Sequence, residues 1–411
     1  MNSQNEREFD IIVQGATGFT GALVAEYLLR QYGLGQTLRW AIAGRSEAKL
    51  KETRARLGAA AQNLEIIVAD SFDKQALHAL ASRSKVVITT VGPYALYGSD
   101  LVAACVDAGT HYCDLAGEVQ WIRKMIDQHH EAAKISGARI VHCCGYDSVP
   151  MDIGVWFLQK AAKEKTGQYC DSISMMVRAT KGTASGGTLA SMMNLIKESQ
   201  DDPSVARILV HPYSLNPDGE REGPDRRDQH NVRFREDAKT WTAPFVMAGV
   251  NTKVVRRSHA LAGYPYGKTF RYDESVATGK GFKGWLRGTI ITVSIGAIVF
   301  FGKFQTSRSL MQRFVLTKPG DGPDRKMQKE GFFNLMQLGV LPDGSIVRGK
   351  ISGDQDPGYG STSKMLSECA VCLAKDELSA GGGVWTPAAV MAEPLIDRLR
   401  QNAGLEFELY D

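Results

Sequence analysis

The sequence lacks the marks of a secreted or disulfide-stabilised protein. Its seven cysteines are an odd number, and they do not have the regular spacing of a disulfide framework. The opening residues, MNSQNEREFD, are polar and charged, so no secretory signal is evident. Both observations lead us to expect a reducing, cytoplasmic setting.

The chain also lacks a large net charge. Its 49 Lys and Arg residues against 45 Asp and Glu residues give a net charge of +4 over 411 residues. This excess is too small to indicate nucleic-acid binding, so we expect none. The hydrophobic share of 43% is ordinary for a globular protein.

A third lack is an uncharged run of the roughly 20 residues that a membrane-spanning helix needs. The stretch GTIITVSIGAIVFFG, between Arg287 and Lys303, has only roughly 15 residues, which favours a buried strand or core helix. The alternative is peripheral contact of Thr289–Phe301 with a membrane or lipid surface, because basic residues flank the run. These residues are Lys283, Arg287, Lys303, Arg308 and Arg313.

Near the start, FDIIVQGATGFTGALVAEYLL places three glycines between an apolar run and a helical pattern. Such a strand-to-helix turn is typical of dinucleotide binding, although the spacing is G-x-x-G-x-x-G rather than G-x-G-x-x-G. Gly15 would permit the tight turn, Gly18 would let a pyrophosphate approach, and Gly21 would let the helix pack closely. The predicted phosphate site also includes Thr17, Phe19 and Thr20.

The end of the next apolar run, LRWAIAGRS, indicates which dinucleotide binds. An NAD site would place an acidic residue here, whereas Arg45 between Gly44 and Ser46 suits the 2′-phosphate of NADP(H). The alternative is a solvated arginine at a strand end. The apolar runs LEIIVAD and KVVITTVGPY complete the predicted cofactor site. The first ends at Asp70, and the second ends in a turn with Thr90, Val91, Gly92 and Pro93.

Strands alternate with helices through residue 150, so we predict an α/β fold with a doubly wound parallel sheet of the Rossmann type. Farther on, CDSISMMVRAT and TKVVRRSHALAGYPYGKTFRYDESVAT indicate strands of a second sheet. Between them, residues 200–231 are dense in Pro, Asp, Arg and Gly, which predicts a long surface excursion.

Several of these motifs resemble the saccharopine dehydrogenase-like oxidoreductase family. They are GATGFTG, AGRS, TVGPYALYGSDLVAACVDAGTHYCDLAGE, GYDSVPMDIG, SGGTLASM and GYGSTSKMLSECAVCLA. The resemblance spans nearly the whole chain and is strongest to the branch that holds trans-acting enoyl reductases and lipid-droplet proteins. It implies an NADP-binding domain over residues 1–150, an inserted mixed α/β domain with an antiparallel sheet over 151–357, and C-terminal helices over 358–411. We also expect a homodimer.

Proton donors for a reductase should lie where strands end, close to the nicotinamide. Tyr94 follows Pro93 directly and could donate a proton or contact substrate, as could Tyr97. His111 and Asp114 bracket a short strand, and histidine can donate near neutral pH. For each of these residues the alternative is an ordinary packing or hydrogen-bonding role. Asp147 could orient an amide or cap the following helix.

A second glycine-rich turn precedes the helical pattern TLASMMNLI. It could bind a substrate carboxylate or the phosphate of a thioester carrier, and its residues are Ser185, Gly186, Gly187 and Thr188. The alternative is a flexible turn with a helix cap. The pair Cys369 and Cys372 lies within an amphipathic helical pattern, which predicts core packing, and we predict no metal site.

Three functions therefore remain open. The first is an NADPH-dependent reductase of a lipid-linked substrate such as an enoyl thioester. The second is a saccharopine-type dehydrogenase of an amino acid or imine, with Arg178, Arg256, Arg257 and Arg271 available to hold carboxylates. The third is a non-catalytic nucleotide-binding protein on a lipid surface.

The role of Arg45 gives a direct test. Arg45→Ala should weaken NADPH binding and leave NADH binding unchanged, because only NADPH carries the 2′-phosphate. Titration of both nucleotides by intrinsic fluorescence measures this. Equal affinity of the wild-type protein for NADH and NADPH, or an unchanged preference in the variant, would contradict the assignment.

Overall fold

Two seven-stranded sheets organise the chain in the computed structural model, which describes residues 7–35, 37–182, 186–307 and 322–410. The strands of the first sheet are β1 (Phe9–Gln14), β2 (Trp40–Gly44), β3 (Glu65–Val68), β4 (Ser84–Thr89), β5 (His111–Cys113), β6 (Arg139–Val141) and β13 (Gly383–Trp385). Their pairing is parallel throughout.

The order of this sheet, β13-β6-β5-β4-β1-β2-β3, reverses direction between β1 and β4. Open α/β sheets bind their ligands at the carboxyl edge beside such a reversal. Ile11 and Ile12 belong to different core clusters, because successive side chains of a strand point to opposite faces. The predicted doubly wound sheet, with its Rossmann-type arrangement, is confirmed.

The strands of the second sheet are β7 (Ser172–Lys181), β8 (Arg233–Arg235), β9 (Thr240–Ala243), β10 (Arg271–Gly279), β11 (Phe332–Val340), β12 (Ile346–Gly353) and β14 (Leu405–Tyr410). Their order is β14-β12-β11-β7-β10-β9-β8. Only the β7–β10 pair is parallel among the described strands of this sheet. The prediction of a second, mixed sheet with antiparallel pairing is therefore confirmed.

Helices cover both sheets. Those that follow the strands of the first sheet are α1 (Phe19–Tyr32), α2 (Glu47–Arg56), α3 (Lys74–Ser82), α4 (Tyr94–Tyr97), α5 (Ser99–Asp107) and α6 (Val119–Ser136). The others are α7 (Val149–Thr166), α8 (Gly186–Asp201), α9 (Pro203–Val210), α10 (Ala248–Leu261), α11 (Gly281–Gly302), α12 (Arg325–Glu330), α13 (Thr362–Lys375) and α14 (Pro387–Asn402).

The last part of the chain contacts both sheets. Helix α13 packs against α1 and β4, and the hydroxyl of Tyr27 in α1 donates to the buried Glu368 of α13 at 2.6 Å. Cys369 and Cys372 are fully buried in the same helix, which confirms their predicted core packing. Strand β13 joins the first sheet and β14 the second. The predicted limits at residues 150 and 357 stay a prediction.

The prediction of a strand over TKVVRRSHAL is wrong, because these residues form α10. This helix is buried on several sides, so its polar residues need partners within the protein. Arg256 forms an ion pair with Asp225, with Nε and Oδ2 2.7 Å apart. Arg257 donates to the carbonyl oxygens of Leu215 and Val384. Neither arginine is left free to hold a substrate carboxylate.

The predicted surface excursion over residues 200–231 is more ordered than its composition indicates. It contains helix α9 and a following segment in which Tyr213, Leu215 and Asn216 are buried. The guanidinium of Arg256 lies over the Tyr213 ring, 5.4 Å from its centroid. The segment packs on α10, which the sequence had predicted as a strand.

The apolar segment near residue 290 forms the 22-residue helix α11. Only 11% of its most apolar 18-residue window is buried, so the prediction of a buried strand or core helix is wrong. By length and composition α11 is also long and apolar enough to cross a membrane, and it is the one such helix among the residues that the structure describes. Its buried residues are Gly284, Gly288 and Gly302.

Candidate cofactor and substrate crevice

The glycine turn between β1 and α1 is too tight for side chains at two of its positions. Gly15 has a φ of +88°, and a Cβ there would lie 2.7 Å from Cγ2 of Val91. A Cβ on Gly21 would lie 2.2 Å from the carbonyl oxygen of Gly15. Helix α1 thus begins directly against the backbone of the turn, as the sequence predicts.

The N-terminus of α1 is left open for an anion. Its N-cap is the exposed Gly18, no side chain caps it, and its first turn contains no acidic residue. Free N–H groups and the positive end of the helix dipole favour a phosphate there. Thr17 and Thr20 are partly buried beside the turn. The ring of Phe19 contacts Tyr359 edge to face, with centroids 4.9 Å apart.

The predicted cofactor residues at the end of β2 differ in their surroundings. Gly44 is buried, and the hydroxyl of Ser46 caps α2 by accepting from the N–H of Lys49 at 3.4 Å. Arg45 is exposed, and it forms no ion pair with the other residues that the structure describes. A free guanidinium at this strand end suits a 2′-phosphate.

The turns after β3 and β4 border the same crevice. Asp70 accepts from the N–H of Phe72 at 3.0 Å and so shapes its own turn. The hydroxyl of Thr90 donates to the carbonyl oxygen of Gly15 at 3.3 Å, which joins the β4 turn to the glycine turn. Val91 donates to the Thr89 hydroxyl at 3.2 Å. The peptide bond between Gly92 and Pro93 is cis.

Glu118 links the turn after β4 to helix α8. Its buried carboxylate accepts from the backbone N–H groups of Tyr94 at 2.7 Å and Ala95 at 2.9 Å, and from the Ser191 hydroxyl at 2.8 Å. Burial raises the pKa of this carboxyl group. Because Ser191 belongs to α8, the contact places α8 at the edge of the crevice. No pattern in the sequence predicts this pairing, because it joins residues far apart in the chain.

Tyr94, a predicted proton donor, has a buried hydroxyl group with two backbone partners. It donates to the carbonyl oxygen of Thr89 at 3.3 Å and accepts from the N–H of Leu115 at 3.2 Å. Burial raises its pKa well above the usual value, so the phenol is neutral. These contacts favour a supporting role. Tyr97 lies apart from it, partly exposed and edge to face with Phe72.

Asp114 lies at the carboxyl end of β5 and is fully buried. It accepts from the N–H groups of Ala116 and Cys143 and from the hydroxyl of Tyr112, and its Oδ2 lies 2.7 Å from Nδ1 of His142. These hydrogen-bond partners belong to β5 or to the loops that follow β5 and β6. Its contacts favour positioning of these two loops over direct proton transfer.

His111 lies at the amino end of β5, whereas the glycine turn lies at the carboxyl edge of the sheet. Its Nδ1 accepts from the N–H of Arg139 at 3.0 Å. Burial and the nearby arginine lower its pKa to about 3, so the ring is neutral and a poor proton donor. Its position argues against the predicted catalytic role.

The second glycine-rich turn lies near the crevice. Ser185 falls outside the residues that the structure describes. Gly186 begins α8, and its N–H donates to the hydroxyl of Tyr359 at 3.1 Å. Gly187 is exposed and Thr188 partly buried. Helix α8 therefore runs from the Phe19–Tyr359 pair to Glu118, along one side of the crevice.

Comparison with known proteins places this geometry in a family. Residues 11–141 match the family model described as the saccharopine dehydrogenase NADP binding domain. A protein of Mycobacterium leprae (strain TN) named trans-acting enoyl reductase is 39% identical over 416 residues, which is 98% of each chain. The chain belongs to the saccharopine dehydrogenase-like oxidoreductase family. It is an NADP-dependent oxidoreductase.

Two further comparisons agree with this membership. A relative in Mycobacterium tuberculosis (strain ATCC 25618 / H37Rv), whose name also contains trans-acting enoyl reductase, is 41% identical over 408 residues, 96% of each chain. Among solved structures, apo saccharopine dehydrogenase (L-Glu forming) from Saccharomyces cerevisiae matches with a TM-score of 0.55. That match covers 98% of this chain and 100% of the yeast chain at 10% identity, and so supports the fold alone.

NADP(H) fits the crevice of this saccharopine dehydrogenase-like oxidoreductase. The open start of α1 would hold the diphosphate, Arg45 the 2′-phosphate, and the turn at Thr90–Pro93 the ribose and nicotinamide. The bound cofactor would supply the hydride for reduction. No group of three His, Cys, Asp or Glu side chains in the described ranges could hold a metal ion.

The contact between Gly21 and the glycine turn gives a second test. Gly21→Ala would put a methyl group 2.2 Å from the Gly15 oxygen and so force the turn open, with an expected loss of about 10-fold or more in NADPH affinity. Gly296→Ala is the matched control, because a Cβ there meets no atom within 4 Å. Calorimetric titration measures both. Wild-type affinity in Gly21→Ala would contradict the assignment of this turn to the diphosphate.

Proposed function

We propose that this oxidoreductase uses NADPH to reduce a carbon–carbon double bond conjugated to the thioester of a long acyl chain. The names of its relatives, which match over at least 96% of the chain, support the type of reaction. The observation that carries the lipid part is the contact between the exposed apolar helix α11 and the crevice helix α8. Gly302 packs against Ile196, and Gln200 donates to the carbonyl oxygen of Lys303 at 3.0 Å.

This contact gives a route for an apolar substrate. Helix α8 borders the crevice through Ser191 and touches α11 about one and a half turns farther along. An acyl chain that follows α8 from the crevice would therefore reach the apolar surface of α11. We propose that the substrate is presented along this path.

An amino-acid or imine substrate is less well supported. Such a substrate needs free cationic side chains to hold its carboxylates. Arg256 and Arg257 are engaged within the protein, whereas Arg178 and Arg271 are exposed. Only two of the four arginines that could hold the carboxylates of such a substrate thus remain available.

A comparison of substrates tests the proposal. We expect NADPH consumption with a long-chain 2-enoyl thioester, slower consumption with a short-chain one, and no NADP⁺ reduction with saccharopine. Absorbance of NADPH measures the rates, and mass spectrometry of the product shows whether the double bond is saturated. Turnover of saccharopine without turnover of either thioester would contradict the proposal and favour the amino-acid alternative.

We also propose that α11 lies on an anionic lipid surface, in a cytoplasmic protein that is peripheral to the membrane. Six exposed apolar residues recur every three or four positions, with one longer gap, and so share one face: Phe282, Leu286, Ile290, Val293 and Phe300 of α11, and Phe304 just after it. Trp285, Val299 and Phe301 are exposed beside this face. The exposed Lys283, Arg287 and Lys303 lie near the two ends of this face. Basic residues beside an apolar face that enters the lipid are typical of helices that bind anionic head groups.

The packing of α11 favours an in-plane position over a membrane-spanning one. A Cβ on Gly284 would lie 2.2 Å from the carbonyl oxygen of Gly279, and one on Gly288 would lie 3.1 Å from Val232. The first half of the helix is thus pressed against the second sheet, where strands β9 and β10 contact it. A spanning helix would have to leave this sheet.

Flotation with vesicles tests the lipid contact. We expect the wild-type protein to float with vesicles of phosphatidylglycerol and phosphatidylcholine, and the double variant Ile290→Asp, Val293→Asp to remain behind, because two charges would enter the apolar face. Ile135→Asp is the matched control, since Ile135 is 89% exposed on α6, and it should float. Equal flotation of the double variant would contradict the proposal. A dimer that becomes a monomer in this variant would assign the face to a second copy.

A further inference from the structure

The loop between β6 and α7 brings one more carboxyl group to the crevice. It spans residues 142–148 and follows the carboxyl end of β6, two strands away from β4. The carboxyl ends of parallel strands lie at the same edge of a sheet. Asp147, near the end of this loop, therefore lies on the side of the sheet that carries the glycine turn and the turn at Gly92.

Asp147 differs from the buried carboxyl groups of Asp114, Glu118 and Asp152. Asp114 and Glu118 each accept several hydrogen bonds, and Asp152 accepts from the hydroxyl of Ser258 and the N–H of Ala388. Asp147 forms no hydrogen bond or ion pair with any residue in the ranges that the structure describes, and it remains partly exposed. It is thus the carboxyl group that is free to meet a ligand.

A cap for α7 does not explain Asp147. The N-cap of α7 is Ser148, and no side chain forms a capping hydrogen bond there. The residues on either side hold the loop in place: the Tyr146 ring packs on Phe333 with centroids 4.8 Å apart, and the Ser148 hydroxyl donates to Asn251 at 3.0 Å. The backbone at Asp147 is therefore fixed while its carboxyl group is not engaged.

The surroundings of Asp147 also favour its protonated form. Burial raises its pKa to about 6, because a poorly solvated site disfavours the charged carboxylate. A general acid works best when its pKa lies near the pH at which the enzyme operates. Asp147 is therefore protonated more readily near neutral pH than an ordinary aspartate, and its carboxyl group is free to act as a donor.

We propose that Asp147 is the catalytic proton donor of this enzyme, an inference that rests on the proposed reduction of an enoyl thioester. That reduction needs a hydride at one carbon, which bound NADPH supplies, and a proton at the carbon next to the thioester carbonyl. The O–H bond of Asp147 breaks, a C–H bond forms at that carbon, and the bonding pair stays on the carboxylate. Water then reprotonates the carboxylate, so each turnover consumes one NADPH and one proton.

Kinetics with a matched pair of variants tests this role. Asp147→Asn should lower kcat by about 100-fold or more, the usual contribution of a general acid, and leave NADPH affinity within about 2-fold of wild type. Asp152→Asn changes a carboxyl group in the first turn of α7 whose pKa burial raises to about 7, and kcat should stay within about 3-fold. Wild-type kcat in Asp147→Asn would overturn the proposal.

Chemical labelling tests the same role without turnover. A water-soluble carbodiimide with an amine should modify Asp147 at mildly acidic pH, and saturating NADP⁺ should slow the modification, as read by peptide mass spectrometry. Asp152, which is 2% exposed, should stay unlabelled. If the wild-type enzyme reduces no enoyl thioester, the proposed reaction fails while labelling still decides whether Asp147 lies beside the cofactor. No labelling, or labelling that NADP⁺ does not affect, would overturn the inference.

Discussion

The cofactor site depends on the narrow space between Gly21 and the carbonyl oxygen of Gly15, where a Cβ on Gly21 would lie 2.2 Å from that oxygen. Because no side chain intervenes, α1 starts directly at the turn and its first N–H groups remain open to a phosphate. The hydroxyl of Thr90 binds the same Gly15 oxygen, so the β4 turn is fixed relative to the glycine turn. The glycine turn and the turn after β4, which both border the crevice, are thus held in one arrangement.

Buried carboxylates extend this arrangement away from the glycine turn. Asp114 joins the loops after β5 and β6, and Glu118 joins the start of α4 to Ser191 of α8. Each would be costly to bury without these donors, so each fixes the loops that supply them. Helix α8 borders the crevice at Ser191 and contacts α11 farther along. The exposed side of α11 is apolar. Asp147, in the loop after β6, takes part in none of these contacts and is the group that we propose as the proton donor.

Local patterns in the sequence predicted the parts of the molecule that depend on neighbouring residues. The strand–turn–helix around Gly15, the parallel sheet and the core position of Cys369 follow from spacing and turn chemistry. The prediction of a strand at α10 was wrong, because the β-branched residues of this segment are typical of strands. Its buried arginines have partners on segments distant in the sequence, which no local pattern predicts. The sequence also did not decide whether α11 is buried, since an apolar composition alone does not show which side of a helix packs against the protein. The pairing of Glu118 with Ser191 joins residues that no local pattern connects.

A crystal structure with NADP⁺ bound measures most directly whether the glycine turn and Arg45 together bind the cofactor. We expect the diphosphate against the N–H groups at the start of α1, and the 2′-phosphate within hydrogen-bonding distance of the Arg45 guanidinium. We also expect the nicotinamide to lie on the side of β4 that faces the loops after β5 and β6. A nucleotide bound elsewhere, or a 2′-phosphate turned away from Arg45 into solvent, would contradict this assignment.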